Sequence, residues 1–262
     1  MDKKEILEKI IQKKEFFELP KKEIEKAFSK FEKRQTSEEE KIRLTRDLLR
    51  KIYFSFGSRK LLNPRILEKK SVEQVLNKHF STRERLPYYE EVYGKIFKTE
   101  KTEEEGRIVF DFGAGINGLS YKYFKDKPKY FGIEAVGQLV KLMNFYFKKE
   151  KLNAKALHLS LFELEKIKNL LKKEGGKGKK VVFLFKTIDS LEVIERDFSK
   201  KFLREISPLV DEIVVSFATR SLIKRIRFKA KRSWLINFLR ENFKVLDDFE
   251  VPGERYIIFR KE

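Results

Sequence analysis

At Gly106 the hydrophobic period of the chain changes. Upstream, apolar residues recur at steps of three and four, as in Ile6, Leu7, Ile10 and Ile11 and again in Ile24, Ala27, Phe28 and Phe31, the stripe of amphipathic helices. Downstream, short β-rich runs at 107 to 112, 129 to 134, 154 to 159, 180 to 185 and 211 to 217 alternate with helical stretches at 136 to 149, 161 to 173, 191 to 206 and 233 to 242. Such alternation predicts a parallel sheet with helices on both faces. Two last runs, 243 to 251 and 255 to 261, are separated only by Pro252-Gly253-Glu254, a hairpin signal that predicts an antiparallel pair at the far edge of the sheet. The expected organisation is a helical domain over 1–105 and an α/β domain over 106–262.

Within the first part, the lysines after Pro20 read as a helix start, and Thr36-Ser37 before three glutamates reads as a cap with acids in the first turn. Asn63-Pro64 closes that region, and at least four helices are expected before any strand.

The chain lacks cysteine, which excludes disulfide scaffolds, thiolate zinc sites, iron-sulfur clusters and cysteine nucleophiles. No His, Asp and Glu grouping has metal-ligand spacing, so no metal is expected. The N-terminal twenty residues interleave charge with apolar residues and never form the continuous apolar stretch of a signal peptide or spanning helix. A cytoplasmic, non-membrane, monomeric protein is expected. The net charge of +20 suggests a polyanionic partner. Residues 220 to 232, RSLIKRIRFKAKR, hold seven basic residues and no acid. The second basic stretch, 175 to 180, reads as a surface loop because of its glycines.

The first β-rich run leads into Asp111-Phe112-Gly113-Ala114-Gly115-Ile116-Asn117-Gly118, and Glu134 closes the next run. The glycines satisfy a GxGxxG dinucleotide pattern. Asp111 argues against it, because a carboxylate facing a pyrophosphate is unfavourable in a partly dry site. S-Adenosylmethionine carries a sulfonium and an ammonium and no phosphate, so the same carboxylate becomes attractive, while Gly113 and Gly115 let the backbone approach and Glu134 can accept both ribose hydroxyls. On this reading Asp111→Ala and Glu134→Ala weaken donor binding and leave thermal stability almost unchanged. The fourth run ends in Phe185-Lys186-Thr187-Ile188-Asp189-Ser190, without the Asn/Asp-Pro-Pro-aromatic tetrapeptide of amino-group methyltransferases. Carbon-5 pyrimidine chemistry needs a cysteine. A ring nitrogen with its own lone pair, such as that of the guanine imidazole, requires no general base.

Together these residues resemble the FmrO/Arm family of small-subunit ribosomal RNA methyltransferases, known for aminoglycoside resistance. The resemblance runs from about residue 79 and rests on four ordered motifs. HFSTRERLPYYEEVY is similar to the family's HxSTxERL segment, DFGAGINGL to its DLGCGxNPL loop, LFKTIDSLE to LLKTLPCLE, and VVSFATRSL with the terminal GERYIIF to VVSFPTRSL and NELVYLI. Asp189 stands where the family has the proline of the third motif, and a basic run replaces its glycine-rich stretch after RSL. The resemblance implies an N-terminal helical domain that docks on the ribosome. It also implies a class I S-adenosylmethionine-dependent, Rossmann-like methyltransferase domain with a mostly parallel seven-stranded sheet and C-terminal hairpin. The implied activity is methylation of guanine N7 in small-subunit rRNA. It puts Asp111, Gly113 and Gly115 at the donor's methionine part, Glu134 at its ribose, and Lys186 and Thr187 beside donor and target. Ala114, Asn117, Ser160, Leu161 and Phe185 complete the candidate donor site. Arg83, Arg85, Arg220, Lys224, Arg225, Arg227 and Lys229 are the candidate RNA contacts.

Plainer roles stand beside these. His79, before a Ser-Thr helix start, reads as a capping or core residue, and His158, inside a run expected to be a central strand, as a packing residue near the adenine. Ser160 replaces an acid often found at that strand end. Tyr88, Tyr89 and Tyr93 fit one helix face, and Trp234 reads as a helix anchor. Two competing functions are an RNA-binding assembly factor with this fold and little turnover, and an NAD-linked oxidoreductase.

Overall fold

A computed structural model describes residues 2–54, 63–99, 106–174, 178–220 and 232–262. Seven strands, β1 (Arg107–Phe112), β2 (Lys129–Glu134), β3 (Ala154–His158), β4 (Lys179–Phe185), β5 (Glu212–Ala218), β6 (Lys244–Val251) and β7 (Glu254–Arg260), form one sheet in the order β3-β2-β1-β4-β5-β7-β6. The first five are parallel, and β7 pairs antiparallel with both β5 and β6. The chain reverses between β1 and β4 in this order. Loops leaving β1, β2 and β4 therefore meet at one edge of the sheet, where ligands of open α/β folds bind.

The two-residue period of the strands sorts the core. Val109, Tyr130, Val181, Phe183 and Val214 face one side, and Phe110, Phe131, Ile133, Val182 and Leu184 face the other. The first side is covered by α8 (Gly137–Lys149) and by the N-terminal helices α1 (Lys3–Ile11), α2 (Lys21–Glu32), α3 (Glu38–Leu49), α4 (Ile66–Lys69), α5 (Val72–Leu76), α6 (Phe80–Arg85) and α7 (Tyr89–Ile96). Their buried residues, from Ile6 to Ile96, join the sheet face in one continuous apolar core. The opposite side carries α9 (Leu164–Lys173), α10 (Ile188–Ile194), α11 (Phe198–Ile206) and α12 (Ser233–Asn242).

Local chemistry explains the helix starts. Asp2 with Glu5, and Ser71 with Gln74, form reciprocal capping boxes, and Ser37 accepts from the Glu40 amide at 3.2 Å. After α3 the chain widens into a π-helical turn, Arg50–Phe54, a form often found at functional sites.

Three details differ from the sequence reading. The helix expected over 191 to 206 is two helices, because the Glu192 carboxylate accepts the amides of Asp197 (2.7 Å) and Ser199 (3.0 Å) and thereby caps a second start. The segment after the glycine loop is a 3₁₀-helix, Asn117–Tyr123, and not an α-helix; in it the Ser120 hydroxyl donates to the Asn117 carbonyl at 2.6 Å. β3 is the edge strand and not a central one, so His158 is exposed, its Nε2 2.9 Å from the Ala135 carbonyl oxygen.

Candidate functional site

A cleft at the carboxyl ends of β1, β2 and β4 is lined by Gly113, Gly115, Glu134, Leu161, Phe185, Lys186 and Thr187, and also by Glu23, Tyr53 and His79 from the N-terminal helices. The loop after β1 turns there because Gly113 (φ 71°) and Gly115 (φ 55°) take the left-handed conformation. The amides of Gly113 and Ala114 both donate to the Ile133 carbonyl, at 2.8 and 3.1 Å, which ties the loop to the end of β2. A methyl group on Gly113 would sit 2.7 Å from Thr187 Oγ1, so glycine is needed for close approach as well as for φ.

Glu134 closes the floor of the cleft. Its Oε2 accepts the Gly115 amide and its Oε1 the Val136 amide, each at 2.8 Å, so both oxygens are held in one plane. Burial raises its pKa against the opposing pull of those amides. Each oxygen retains a lone pair, which fits a bidentate partner with two hydroxyls.

Asp111 does not face the cleft. On the same strand face as Val109, it points beneath the loop and accepts from Asn117 Nδ2 and from the Tyr130 hydroxyl, both at 2.7 Å; burial raises its pKa. Asn117 is also turned away, its Oδ1 accepting from Arg85 at 2.9 Å and Tyr89 at 2.8 Å, and Ala114 lies outside the cleft lining. These residues shape the loop from behind. Asp111→Ala should therefore lower stability by about 2 kcal/mol or more, since two buried donors lose their acceptor, contrary to the small effect expected from sequence. Chemical denaturation with a midpoint equal to the parent's would refute this.

Arg85, read from sequence as an RNA contact, is 2% exposed. It pairs with Glu254 at 2.6 Å, donates to Tyr256 at 2.9 Å and Asn117 at 2.9 Å, and lies over the Phe185 ring. No phosphate can reach it. Its partner is remote in sequence, because the acid that fixes it arrives from β7, 169 residues away. Burial alone would raise the pKa of Glu254, but Arg85 and Lys186 outweigh it and hold the carboxyl below its ordinary value.

Lys186 has a left-handed backbone (φ 57°), and its ammonium lies 2.6 Å from Glu84 and 3.3 Å from Glu254. Thr187 donates its hydroxyl to the Phe112 carbonyl at 3.0 Å and presents its methyl to the loop. Both residues are cleft walls. His79 stands at the N-cap position of α6 with Nδ1 3.2 Å from Ser81 Oγ, and burial with the Arg85 and Lys186 cations pushes its pKa down to about 4. It faces Gly115 as a neutral ring.

Sequence reasoning missed Glu23. This α2 residue is 2% exposed, accepts from the Tyr53 hydroxyl and from Ser160 Oγ (2.7 Å), and has its pKa raised to about 7 by burial. The one available signal was Glu23 on the apolar side of its helix, next to Ile24, Ala27 and Phe28. Ser160 itself is buried behind Glu23 and outside the lining, while its neighbour Leu161 is within it.

Of the remaining RNA candidates, Arg83 and Arg220 are exposed. Lys224, Arg225, Arg227 and Lys229 lie outside the described residues. The ends of their segment are fixed: Arg232 donates to the Ala218 carbonyl at 2.7 Å and grips Asp189, two positions after Thr187, at 2.5 Å. Ala218 and Arg232 thus lie together beside the start of α10, which follows the cleft residue Thr187. Tyr89 and Tyr93 are core residues, at 0% and 2% exposure.

Among the described residues no helix is long and apolar enough to cross a membrane, and no group of three or more His, Asp or Glu residues could hold a metal ion.

The strand order, antiparallel last hairpin and glycine loop define the class I methyltransferase fold with an N-terminal helical layer. No family model and no curated protein matches the sequence. Among solved structures, the 16S rRNA methylase RmtB superposes with a TM-score of 0.79 at 19% identity, covering 100% of this chain and 99% of that one. An rRNA methylase from Escherichia coli gives 0.78 at 20% identity over 99% of both chains. The 16S rRNA methyltransferase RmtF, in complex with S-adenosyl-L-homocysteine, gives 0.78 at 18% identity over 100% of both. The likeness in fold thus includes the helices before residue 79, where no sequence motif announced it.

Proposed function

We propose that this chain is an S-adenosylmethionine-dependent RNA methyltransferase that acts on small-subunit ribosomal RNA, with a guanine ring nitrogen, N7, as the acceptor. The observation that carries the reading is the pairing of the Gly113–Gly115 cradle with the backbone-oriented Glu134 carboxylate at adjacent strand ends. The residues present fit the donor: glycines where its methionine part needs close backbone approach, a two-oxygen acceptor for its ribose, and apolar walls from Leu139, Leu159 and Leu161. The fold likeness to RmtB and RmtF, the latter with bound S-adenosylhomocysteine, supports the same assignment. Bound there, the donor supplies a methyl group on a positively charged sulfur.

The chain's own part is binding and orientation. Gly113 and Gly115 admit the donor, Glu134 fixes it, Phe185 and Thr187 wall the cleft, and Lys186 is positioned by Glu84 and Glu254 at the side where a target base enters. Beside the loop, Glu134 is engaged by backbone amides, His79 is a weak base with its pKa pushed down to about 4, and Lys186 is ion-paired, so none of these three is a strong proton acceptor. That suits an acceptor that attacks with its own lone pair. Asp111, Asn117 and Arg85 support the loop from below. Arg83, Arg220 and the run containing Lys224, Arg225, Arg227 and Lys229 grip RNA phosphates around a base taken out of its stack, and the helices of 1–105 dock on the subunit.

Calorimetry should show S-adenosylmethionine and S-adenosylhomocysteine binding and no NAD binding; NAD alone would end the methyltransferase reading. Glu134→Ala should weaken donor binding by more than about 1 kcal/mol. With small subunits as substrate, incorporated methyl should map to a site cleavable by borohydride and aniline. Incorporation without a cleavable site would refute N7 and spare the enzyme class, and donor binding without incorporation would favour the assembly-factor alternative. Arg225→Glu, Arg227→Glu and Lys229→Glu together should abolish incorporation and leave donor binding intact. Loss of both would make the segment part of the cofactor domain.

A further inference from the structure

Glu23 poses a question that the loop and Glu134 do not answer. It is a carboxylate from the N-terminal helices, 2% exposed, at the end of β3, and it lines the same cleft as Glu134. Among the described residues no cation pairs with it. Its two hydrogen-bond partners are the neutral hydroxyls of Tyr53 and Ser160, which occupy one lone pair on each oxygen. A buried carboxylate without a counter-ion is costly to keep, as its raised pKa of about 7 records. The remaining lone pairs face a space with apolar walls, Ile52, Leu159, Leu161 and Ile194. An acceptor at the far end of an apolar slot, opposite a second acceptor suited to a diol, matches a flat ring that carries one amine.

We infer that Glu23 reads the adenine of the donor by accepting a hydrogen bond from its exocyclic amine, so that α2 supplies in space the acid that Ser160 replaces at the end of β3. This rests on the donor reading above. It makes the N-terminal layer part of the cofactor site, with Tyr53 on the π-helical turn and Ser160 after β3 holding the carboxylate in place.

The test compares S-adenosylhomocysteine with its analogue bearing hydrogen in place of the 6-amino group, by calorimetry on the full chain. Wild type should prefer the amine by about tenfold or more, because the analogue leaves a buried acceptor unpaired. Glu23→Leu should remove that preference. Glu23→Gln, which keeps an acceptor and the volume, should retain most of it and guards against loss of fold. In wild type the preference should also shrink toward the level of Glu23→Gln as pH falls through about 7, because Glu23 takes a proton and its charge-assisted bond becomes a neutral one. The other ionisable groups that act on it are Tyr53 of the π-helical turn, Glu134 of β2 and Glu163 before α9, and all three are unchanged in Glu23→Gln, whose preference should be flat with pH. Undiminished preference in Glu23→Leu, or none in wild type, overturns the inference. Wild type that binds neither compound overturns the donor reading itself.

Discussion

Arg85→Ala is expected to cost about 3 to 5 kcal/mol of folding stability, the range found when one partner of a buried ion pair is removed. The guanidinium ties three elements together: it reaches Glu254 and Tyr256 on β7, Asn117 after the glycine loop, and the face of Phe185 on β4. Alanine leaves the Glu254 carboxylate, 1% exposed, with Lys186 at 3.3 Å as its one remaining cation among the described residues, and frees the tether of Asn117 behind the loop. Equilibrium urea denaturation measures the loss. The double variant Arg85→Met with Glu254→Gln should recover part of it, because an apolar side chain beside a neutral amide removes the stranded charge. A surface phosphate contact would behave differently, with parental stability and a shallower salt dependence of RNA binding. That outcome would restore the role read from the sequence.

Gly113→Ala is expected to reduce donor affinity by a factor of about ten to a hundred, because two effects coincide at one atom. A residue with a Cβ at φ 71° pays about 1 to 2 kcal/mol for the left-handed conformation. The added carbon also meets Thr187 Oγ1 at 2.7 Å and Cγ2 at 2.8 Å. Thr187 cannot turn aside without giving up its bond to the Phe112 carbonyl, so the loop must move, and with it the floor of the cleft. Combining Gly113→Ala with Thr187→Ala leaves the Cβ at 3.4 Å as the nearest part of that side chain and should restore part of the affinity. Gly115→Ala carries the same left-handed strain (φ 55°) without the clash, its added carbon coming no closer than 3.4 Å to the His79 ring, and should therefore lose less affinity than Gly113→Ala. Calorimetric affinity of Gly113→Ala equal to the parent's would show that the loop does not approach the donor.

The sequence by itself determined the sheet and its helices, because their signals are local. The unbroken β-rich run 107 to 112 marks a strand covered on both faces, with all six residues of β1 buried, and a Pro-Gly-Glu spacer between two β-rich runs leaves room for little but a hairpin. Gly113, Gly115 and Glu134 were legible for the same reason: a turn needs a left-handed residue wherever it lies, and the end of a strand is marked in the chain. What each charged side chain does was decided only by the tertiary structure. Arg83 and Arg85 stand two residues apart in one motif, yet the first is in solvent and the second sealed against Glu254 from 169 residues away. Asp111 and Glu134 close neighbouring strands, but Tyr130 and Asn117 claim one carboxylate and backbone amides orient the other toward the cleft. Glu23 lies 137 residues from Ser160, and nothing in its helix announces the meeting. Periodicity fixes which face of an element is covered; the partner of a buried charge depends on which distant element covers it, because the low dielectric of the core makes an unpaired charge costly wherever the fold happens to place it.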